Sequence, residues 1–109
     1  MKTSELTGAA LDWAVAKCEG YIDNCNTWLH DATVQEVEDE HFKPSTDWAQ
    51  GGPIIEREKI ETRYIEPLKE WHADTDCNCE SGPTPLIAAM RCLVASRLGD
   101  EVDVPEELV

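Results

Sequence analysis

The stretch STDWAQGGPIIER, residues 45–57, is the most densely patterned part of the chain, and the fold is predicted outward from it. Its polar start is typical of a turn or a helix cap, and Trp48 adds a large apolar side chain with one hydrogen-bond donor. The paired glycines that follow permit a tight turn, after which Pro53 favours an extended backbone. We therefore predict a loop that leads into a core strand through Ile54 and Ile55.

The segments on either side of this stretch favour an antiparallel sheet. Residues 56–66 (EREKIETRYIE) alternate charged and apolar side chains without a helix breaker, which is the pattern of one bent strand or of two strands. The three residues from Trp71 predict another strand, whereas residues 74–82 (DTDCNCESG) are typical of an exposed loop. Residues 27–37 also favour a strand, so the sheet is expected to have about three to five strands.

Two helices are predicted, one near each end of the chain. Residues 8–19 carry apolar side chains at helical spacing, with a threonine before them and a glycine after them. Residues 86–98 follow Thr84 as N-cap and Pro85 at the one helical position that prefers proline. This second helix is apolar or small nearly all round, which indicates burial across a sheet.

Length and charge limit the possible functions. The 109 residues suffice for one modest core, so we expect a single α+β domain over residues 1–109, with both helices on one face of the sheet. Nine lysines and arginines against 23 aspartates and glutamates give a net charge of −14. This charge disfavours direct nucleic-acid binding, because such affinity comes largely from neutralised phosphates. The longest apolar run is too short for a bilayer span, so no membrane role is expected.

The cysteines and histidines form no recognisable chemical motif. Five cysteines, an odd number without an apolar leader ahead of them, predict reduced thiols and a cytoplasmic location. His72, Cys77 and Cys79 could offer metal ligands, but their spacing is poor for a zinc site, so neither a metal nor a cofactor is expected. Spacing alone pairs no nucleophile with a base, and no catalytic residue is predicted.

The candidate binding site consists of two turns. In the first, Trp48 would stack on a planar group while the glycine backbone approaches the ligand closely. In the second, the cap before the C-terminal helix and the backbone N–H groups after it would hold an anion. The predicted ligand-binding residues are Asp47, Trp48, Gln50, Gly51, Gly52, Pro53, Gly82, Pro83, Thr84 and Arg91.

Arg91 needs a partner, because it lies on the same helical stripe as several apolar side chains. A buried cation is costly unless it is paired, and we expect an ion pair with one of the many carboxylates of the chain, Glu56 and Glu58 being the candidates. The alternative is that Arg91 reaches the ligand and adds positive charge to the site.

Four segments carry a family resemblance: SELTGAALDWAVAKCEG near the start, STDWAQGGPIIERE in the middle, GPTPLIAAMR on the second helix and VASRLGDEVDVPEEL at the end. They are similar to proteins of the NinX family, small accessory proteins of lambdoid and related bacteriophages. The resemblance implies a phage protein that acts in the cytoplasm of the infected bacterium. The family has no assigned activity, so the resemblance transfers no catalytic residue.

Two functions are favoured by these features; a third, an enzyme that acts on a nucleotide, would require a general base that the sequence does not identify. The first is a non-enzymatic binding protein that sequesters a nucleotide-type small molecule at the two turns. The alternative is an acidic interaction module, or a mimic of nucleic-acid charge, that inhibits a host protein through residues 36–40 and the carboxylates Glu106 and Glu107. A homo-oligomer also stays open, because a loop of this kind can complete a site across a dimer.

Overall fold

The computed structural model describes residues 1–22, 42–76 and 78–108. The predicted strand over residues 27–37, the acidic run 36–40, two of the histidines and Cys77 lie outside these residues. Across the described part, the helices are α1 (Gly8–Cys18), α2 (Trp48–Glu58) and α3 (Pro85–Leu98), and the strands are β1 (Glu61–Ile65), β2 (Glu70–Asp74) and β3 (Cys79–Gly82). Helices and an antiparallel sheet confirm the α+β class.

Helix α3 is the centre of the fold. It contacts all three strands, and both α1 and α2 pack against it. Its residues 88–95 are buried without interruption, as expected from its apolar composition. The predicted start is confirmed, since the Thr84 hydroxyl oxygen accepts a hydrogen bond from the Ile87 N–H at 3.1 Å. The prediction had both helices on the sheet, whereas α1 packs mainly against α3. None of the described helices is long and apolar enough to cross a bilayer.

The sheet has the order β1-β2-β3, and both pairs are antiparallel. Tyr64, Trp71 and Gly82 lie opposite one another across the three strands. Ala73 lies two residues from Trp71 on β2, hence on the same face of the sheet, and it is fully buried. This face therefore packs against α3, and the opposite face carries the polar residues of the alternating pattern.

Two segments form elements other than those predicted. Residues 79–82 were expected to be an exposed loop, but they form β3, because their backbone pairs with β2 and so satisfies its polar groups. The turn before β3 is fixed by a hydrogen bond from the Thr75 N–H to the Asn78 carbonyl at 2.9 Å. The predicted strand through Ile54 and Ile55 was also wrong, since both residues lie on α2.

Tertiary contacts explain why α2 is helical despite its Gly-Gly-Pro sequence. Gly51 is buried where a larger residue would collide with the Pro44 carbonyl and Leu86, so the glycine is used for close packing and not for a turn. Ile54 is buried one turn later on the same side. Pro53 lies inside the helix, where it removes the N–H that would bond to the carbonyl four residues earlier. Burial of this side of α2 offsets that loss.

Candidate functional site

The two turns predicted to form a site lie next to each other. A Cβ atom built on Gly51, in the second turn of α2, would be 2.5 Å from Cδ2 of Leu86, in the first turn of α3. Leu86 follows the turn at residues 82–84 directly. The N-terminal ends of α2 and α3 therefore meet at this contact, with both predicted turns beside it.

The start of α2 is held by its own polar side chains. Asp47 Oδ1 accepts a hydrogen bond from the Ala49 N–H at 2.9 Å, and Oδ2 accepts one from Gln50 Nε2 at 3.0 Å. Gln50 Oε1 in turn accepts from the Lys43 N–H at 2.9 Å. Two of the predicted ligand-binding residues, Asp47 and Gln50, therefore brace the turn that precedes α2.

Asp12 on α1 fixes the same turn through a hydrogen bond, and the sequence analysis did not predict this role. Its Oδ1 accepts a hydrogen bond from the Ser45 N–H at 3.0 Å. Burial raises the pKa of Asp12 above its ordinary value, while the hydrogen bond from the Ser45 N–H and the charge of Lys43 act in the opposite direction. No short-range signal in the sequence marks this residue, because its partner lies 33 positions away.

Trp48, Gly52 and Pro53 form the accessible part of the first turn of the site. The Trp48 side chain is 56% exposed, which is unusual for tryptophan. Gly52 lies beside it, since a Cβ atom built there would be 3.9 Å from the indole Cε3. Pro53 is exposed on the next position of the helix. These three residues, which we call the Trp48 surface, offer a flat apolar patch to solvent.

The second predicted turn is largely engaged within the fold. Gly82 is buried, and a Cβ atom there would lie 2.9 Å from the Ala88 nitrogen, so this glycine permits close packing of β3 on α3. Thr84 receives hydrogen bonds from the N–H groups of Ile87 and Ala88. Pro85 has no N–H, so within the described part of the chain the Leu86 N–H is the donor of the first turn that is left for an anion. Pro83 is exposed at this point.

The expected ion pair of Arg91 with Glu56 or Glu58 was wrong. Arg91 is only 8% exposed, and its guanidinium donates from Nε to the Leu6 carbonyl at 2.9 Å and from Nη1 to the Ser81 carbonyl at 2.7 Å. Burial lowers the pKa of Arg91, and the charge of nearby Glu80 acts in the opposite direction. The residue joins the N-terminal segment to β3 because its fork of donors satisfies two backbone carbonyls at once.

An ion-pair network joins the C-terminal ends of the three helices. Arg57 on α2 donates from Nη1 and Nη2 to both carboxylate oxygens of Glu19, each at 2.9 Å. Its Nε donates to Glu58 at 2.9 Å, and Arg97 on α3 donates to the other oxygen of Glu58 at 2.6 Å. These hydrogen bonds hold the pKa of Glu58 below its ordinary value. The signal that could have found this network is the arginine in the last turn of each of α2 and α3.

The described thiols are not activated. Cys18, Cys79 and Cys92 are free. Burial raises the pKa of Cys18 to about 12, and a hydrogen bond with Asp74 raises the pKa of Cys79 to about 11. Thiols with such pKa values stay protonated at neutral pH and are weak nucleophiles. Within residues 1–22, 42–76 and 78–108, no three His, Cys, Asp or Glu side chains come together as a metal site would require.

A cleft of about 400 Å³ opens at the other end of α2, away from the Trp48 surface. It is lined by Glu58, Lys59, Thr75, Asp76, Asn78 and Ser96, none of which was predicted as a site residue. An α-helix of 11 residues spans roughly 16 Å, so the cleft and the Trp48 surface are separate places on the molecule.

Comparison with known protein families shows the family to which the chain belongs. A family model described as "Bacteriophage P22, NinX" matches residues 2–97, which include α1, α2, the three strands and all of α3 except its last residue. The chain belongs to the NinX family. The predicted resemblance is confirmed, and membership indicates a phage accessory protein. A comparison with curated proteins gave no match.

Proposed function

We propose that this NinX-family protein is a phage accessory protein that binds a nucleotide-type small molecule, without catalysis, in the cytoplasm of the host bacterium. The observation that supports the proposal is the contact between Gly51 and Leu86, which brings the N-terminal ends of α2 and α3 together beside an exposed tryptophan. An aromatic surface next to a donor at a helix N-terminus suits a ligand that has both a planar base and an anionic group.

Each residue of the site has a distinct role in this proposal. The indole of Trp48 stacks on the base, and Gly52 leaves room beside the ring because it has no side chain. The anionic group lies on the α3 side, near the Leu86 N–H and the exposed Thr84, because the Asp47 carboxylate on the α2 side would repel it. Asp47, Gln50 and Asp12 act indirectly, by fixing the turn that carries Trp48.

The test captures the ligand from cells. The purified protein is incubated with lysate from phage-challenged bacteria, washed and heat-denatured, and the released small molecules are identified by mass spectrometry. We expect the wild-type protein to release a nucleotide-type compound that Trp48→Ala does not release. Tyr64→Ala is the matched control, because Tyr64 is 45% exposed on β1 and lies outside the site. Equal yields from wild type and Trp48→Ala, or no released compound, would contradict the proposal.

A second candidate function is an acidic interaction module that inhibits a basic host protein. The net charge of −14 favours it, together with the exposed acidic residues that follow α3, namely Asp100, Glu101, Asp103 and Glu106. Binding of this kind should weaken steeply as salt rises, because the charges involved are exposed to solvent. Binding through Trp48 should depend less on salt. A titration of the captured partner at two ionic strengths therefore separates the two functions.

A further inference from the structure

Strand β1 lies at an edge of the sheet. The sheet has the order β1-β2-β3, and among the residues that the structure describes no strand pairs with β1 on the side away from β2. The other edge of the sheet differs, because the 3₁₀ turn Thr3–Glu5 packs beside β3. The backbone N–H and C=O groups on the outer side of β1 can therefore pair with another strand.

Few of the features that protect an edge strand from pairing occur in β1. Its register with β2 runs from Glu61 to Ile65 without a bulge, and the strand contains no proline. The side chains of Glu61, Arg63 and Tyr64 are exposed. Glu61 and Arg63 carry opposite charges and lie two positions apart, so they point to the same face of the sheet. Which strand can pair here is therefore decided by where its charges fall.

The charge pattern of β1 is complementary to itself. Along the strand, the polar face carries a negative charge and then a positive charge two residues later. A second copy of the strand that runs antiparallel presents the same two charges in the reverse order. When Thr62 lies opposite the partner's Thr62, each Glu61 lies opposite the Arg63 of the other copy. A second copy of the chain therefore supplies the charge pattern that this edge requires.

Other registers of two copies are less favourable. A shift by one residue would place the polar face of one copy beside the α3 face of the other, so only registers that keep the alternation of faces are possible. Pairing centred on Arg63 places two arginines opposite each other, and pairing centred on Glu61 places two glutamates opposite each other. Pairing centred on Tyr64 puts Arg63 opposite Ile65, which has no charge. The register centred on Thr62 therefore suits the charges of β1 best.

The ion pair that Arg63 makes within its own chain does not prevent this contact. Nη1 of Arg63 lies 2.6 Å from Oδ2 of Asp74, but the side chain is still 56% exposed, which leaves other guanidinium donors for a second carboxylate. Within one chain, Glu61 lies opposite Asp74 on β2, and two like charges in this position are destabilising. In the pair of copies, the partner's Arg63 lies on the other side of Glu61 and relieves this repulsion. Across the edge the nearest charge to each Glu61 is then an arginine, and the like charges are diagonal and farther apart.

We propose that β1 is the contact surface between two copies of this chain, which pair antiparallel about Thr62 and join their three-stranded sheets into one. The dimer is weak, with a Kd of about 0.1 to 1 mM, because one short strand buries less area than a stable interface does. The net charge of −14 opposes association, but about 0.15 M salt screens charges that are more than about 8 Å apart. The interface does not depend on the function proposed for Trp48.

The test is sedimentation equilibrium of the full chain at concentrations up to about 1 mM, in about 0.15 M salt. We expect the mean mass of the wild-type protein to rise from that of the monomer toward that of the dimer. Glu61→Arg should weaken the dimer at least about tenfold, because two attractive pairs across the edge become two repulsive ones. The same substitution removes the like-charge pair with Asp74 and lowers the net charge, so a non-specific effect of charge would strengthen association instead.

A mixture of two variants tests the register directly. Arg63→Glu should also weaken its own dimer, but an equal mixture of Glu61→Arg and Arg63→Glu should associate about as well as wild type, because one copy then presents two positive charges and the other two negative charges. Circular dichroism checks that the variants fold.

Glu5→Arg is the matched control, because it makes the same change of charge on an exposed residue beside the other edge of the sheet. Neither Glu5→Arg nor Trp48→Ala should weaken the dimer. A wild-type protein that stays monomeric at every concentration, a Glu61→Arg dimer as tight as wild type, or a mixture that does not associate would overturn the proposal.

Discussion

Helices α2 and α3 begin side by side, yet the fold uses them differently. Helix α3 is buried along most of its length and even encloses a guanidinium, so nearly every residue has a structural task. Helix α2 buries only Gly51 and Ile54 and leaves Trp48 exposed at one end and a cleft open at the other. The comparison indicates that α3 supports the molecule and that α2 presents the groups available to partners.

The sharpest test of this difference uses the two adjacent glycines of α2. Gly51→Ala should lower the free energy of unfolding by about 3 kcal/mol, because its Cβ atom would collide with the Pro44 carbonyl and Leu86. Gly52→Ala should raise it by about 0.5 to 1 kcal/mol, because the nearest atom would be 3.9 Å away and alanine is the better helix former. Urea unfolding measures both.

These two substitutions are controls for each other, since they make the same chemical change on neighbouring residues of one helix. Similar destabilisation by both would show that the backbone of this segment, and not the contact between α2 and α3, needs glycine. The close contact between the N-terminal ends of α2 and α3 would then not be the reason for glycine at position 51.

The next test removes the buried cation of α3. Arg91→Met keeps the length and the apolar stem but leaves the Leu6 and Ser81 carbonyls without their donor, so we expect a loss of about 2 kcal/mol in urea unfolding. Arg97→Met is the matched change six residues later, where the side chain is 43% exposed, and it should cost less than about 1 kcal/mol. If Arg97→Met lowers the free energy of unfolding more than Arg91→Met does, the ion pair at the C-terminal end of α3 contributes more to stability than the buried guanidinium, which would contradict this prediction.

Most of this arrangement around α3 could be predicted from the sequence. A threonine cap, a proline at the first helical position and a nearly continuous apolar composition all favour the same helix, and local and tertiary preferences agree. The glycine-glycine-proline run in α2 favours a turn locally, and only its contacts with Pro44 and Leu86 make it helical. Such contacts join residues that are distant in the chain, and no local pattern encodes them.

The candidate site shows the same division. Trp48 was recognisable as an accessible aromatic beside small residues, whereas the role of Asp12 was not, because its partner Ser45 is 33 positions away. Arg91 illustrates the reverse error. Its position on an apolar stripe predicted a carboxylate partner, but backbone carbonyls satisfied it instead.

The two ends of α2 should respond to acid in opposite ways. Glu58 at the C-terminal end has a pKa lowered from 4.5, so its contribution is present above the unfolded value and is lost as pH falls through the folded value. Asp12, which holds the turn before α2, has a pKa raised from 3.8, so its charged form costs stability and protonation relieves that cost. Both effects should be about 1 kcal/mol or less.

Urea unfolding of Glu58→Gln and Asp12→Asn between about pH 3 and 6 measures these contributions as differences from wild type. As pH falls, the free energy of unfolding of wild type should decrease relative to that of Glu58→Gln. Over the same range, the free energy of unfolding of wild type should increase relative to that of Asp12→Asn. Parallel pH curves for wild type and either variant would show that the corresponding carboxyl is not coupled to folding.

A comparably small effect is expected for Trp48→Ala on stability. Trp48 is 56% exposed, so it buries less than half of its surface, and alanine is the better helix former; the free energy of unfolding should therefore change by no more than about 1 kcal/mol. Ile54→Ala, six residues along the same helix, should instead cost about 2 kcal/mol or more, because Ile54 is buried against the core. If Trp48→Ala costs as much as Ile54→Ala, the tryptophan is a packing residue and α2 resembles α3. A near-neutral Trp48→Ala would leave its large apolar surface without a structural explanation, and binding would then be the simplest reason for a tryptophan at this position.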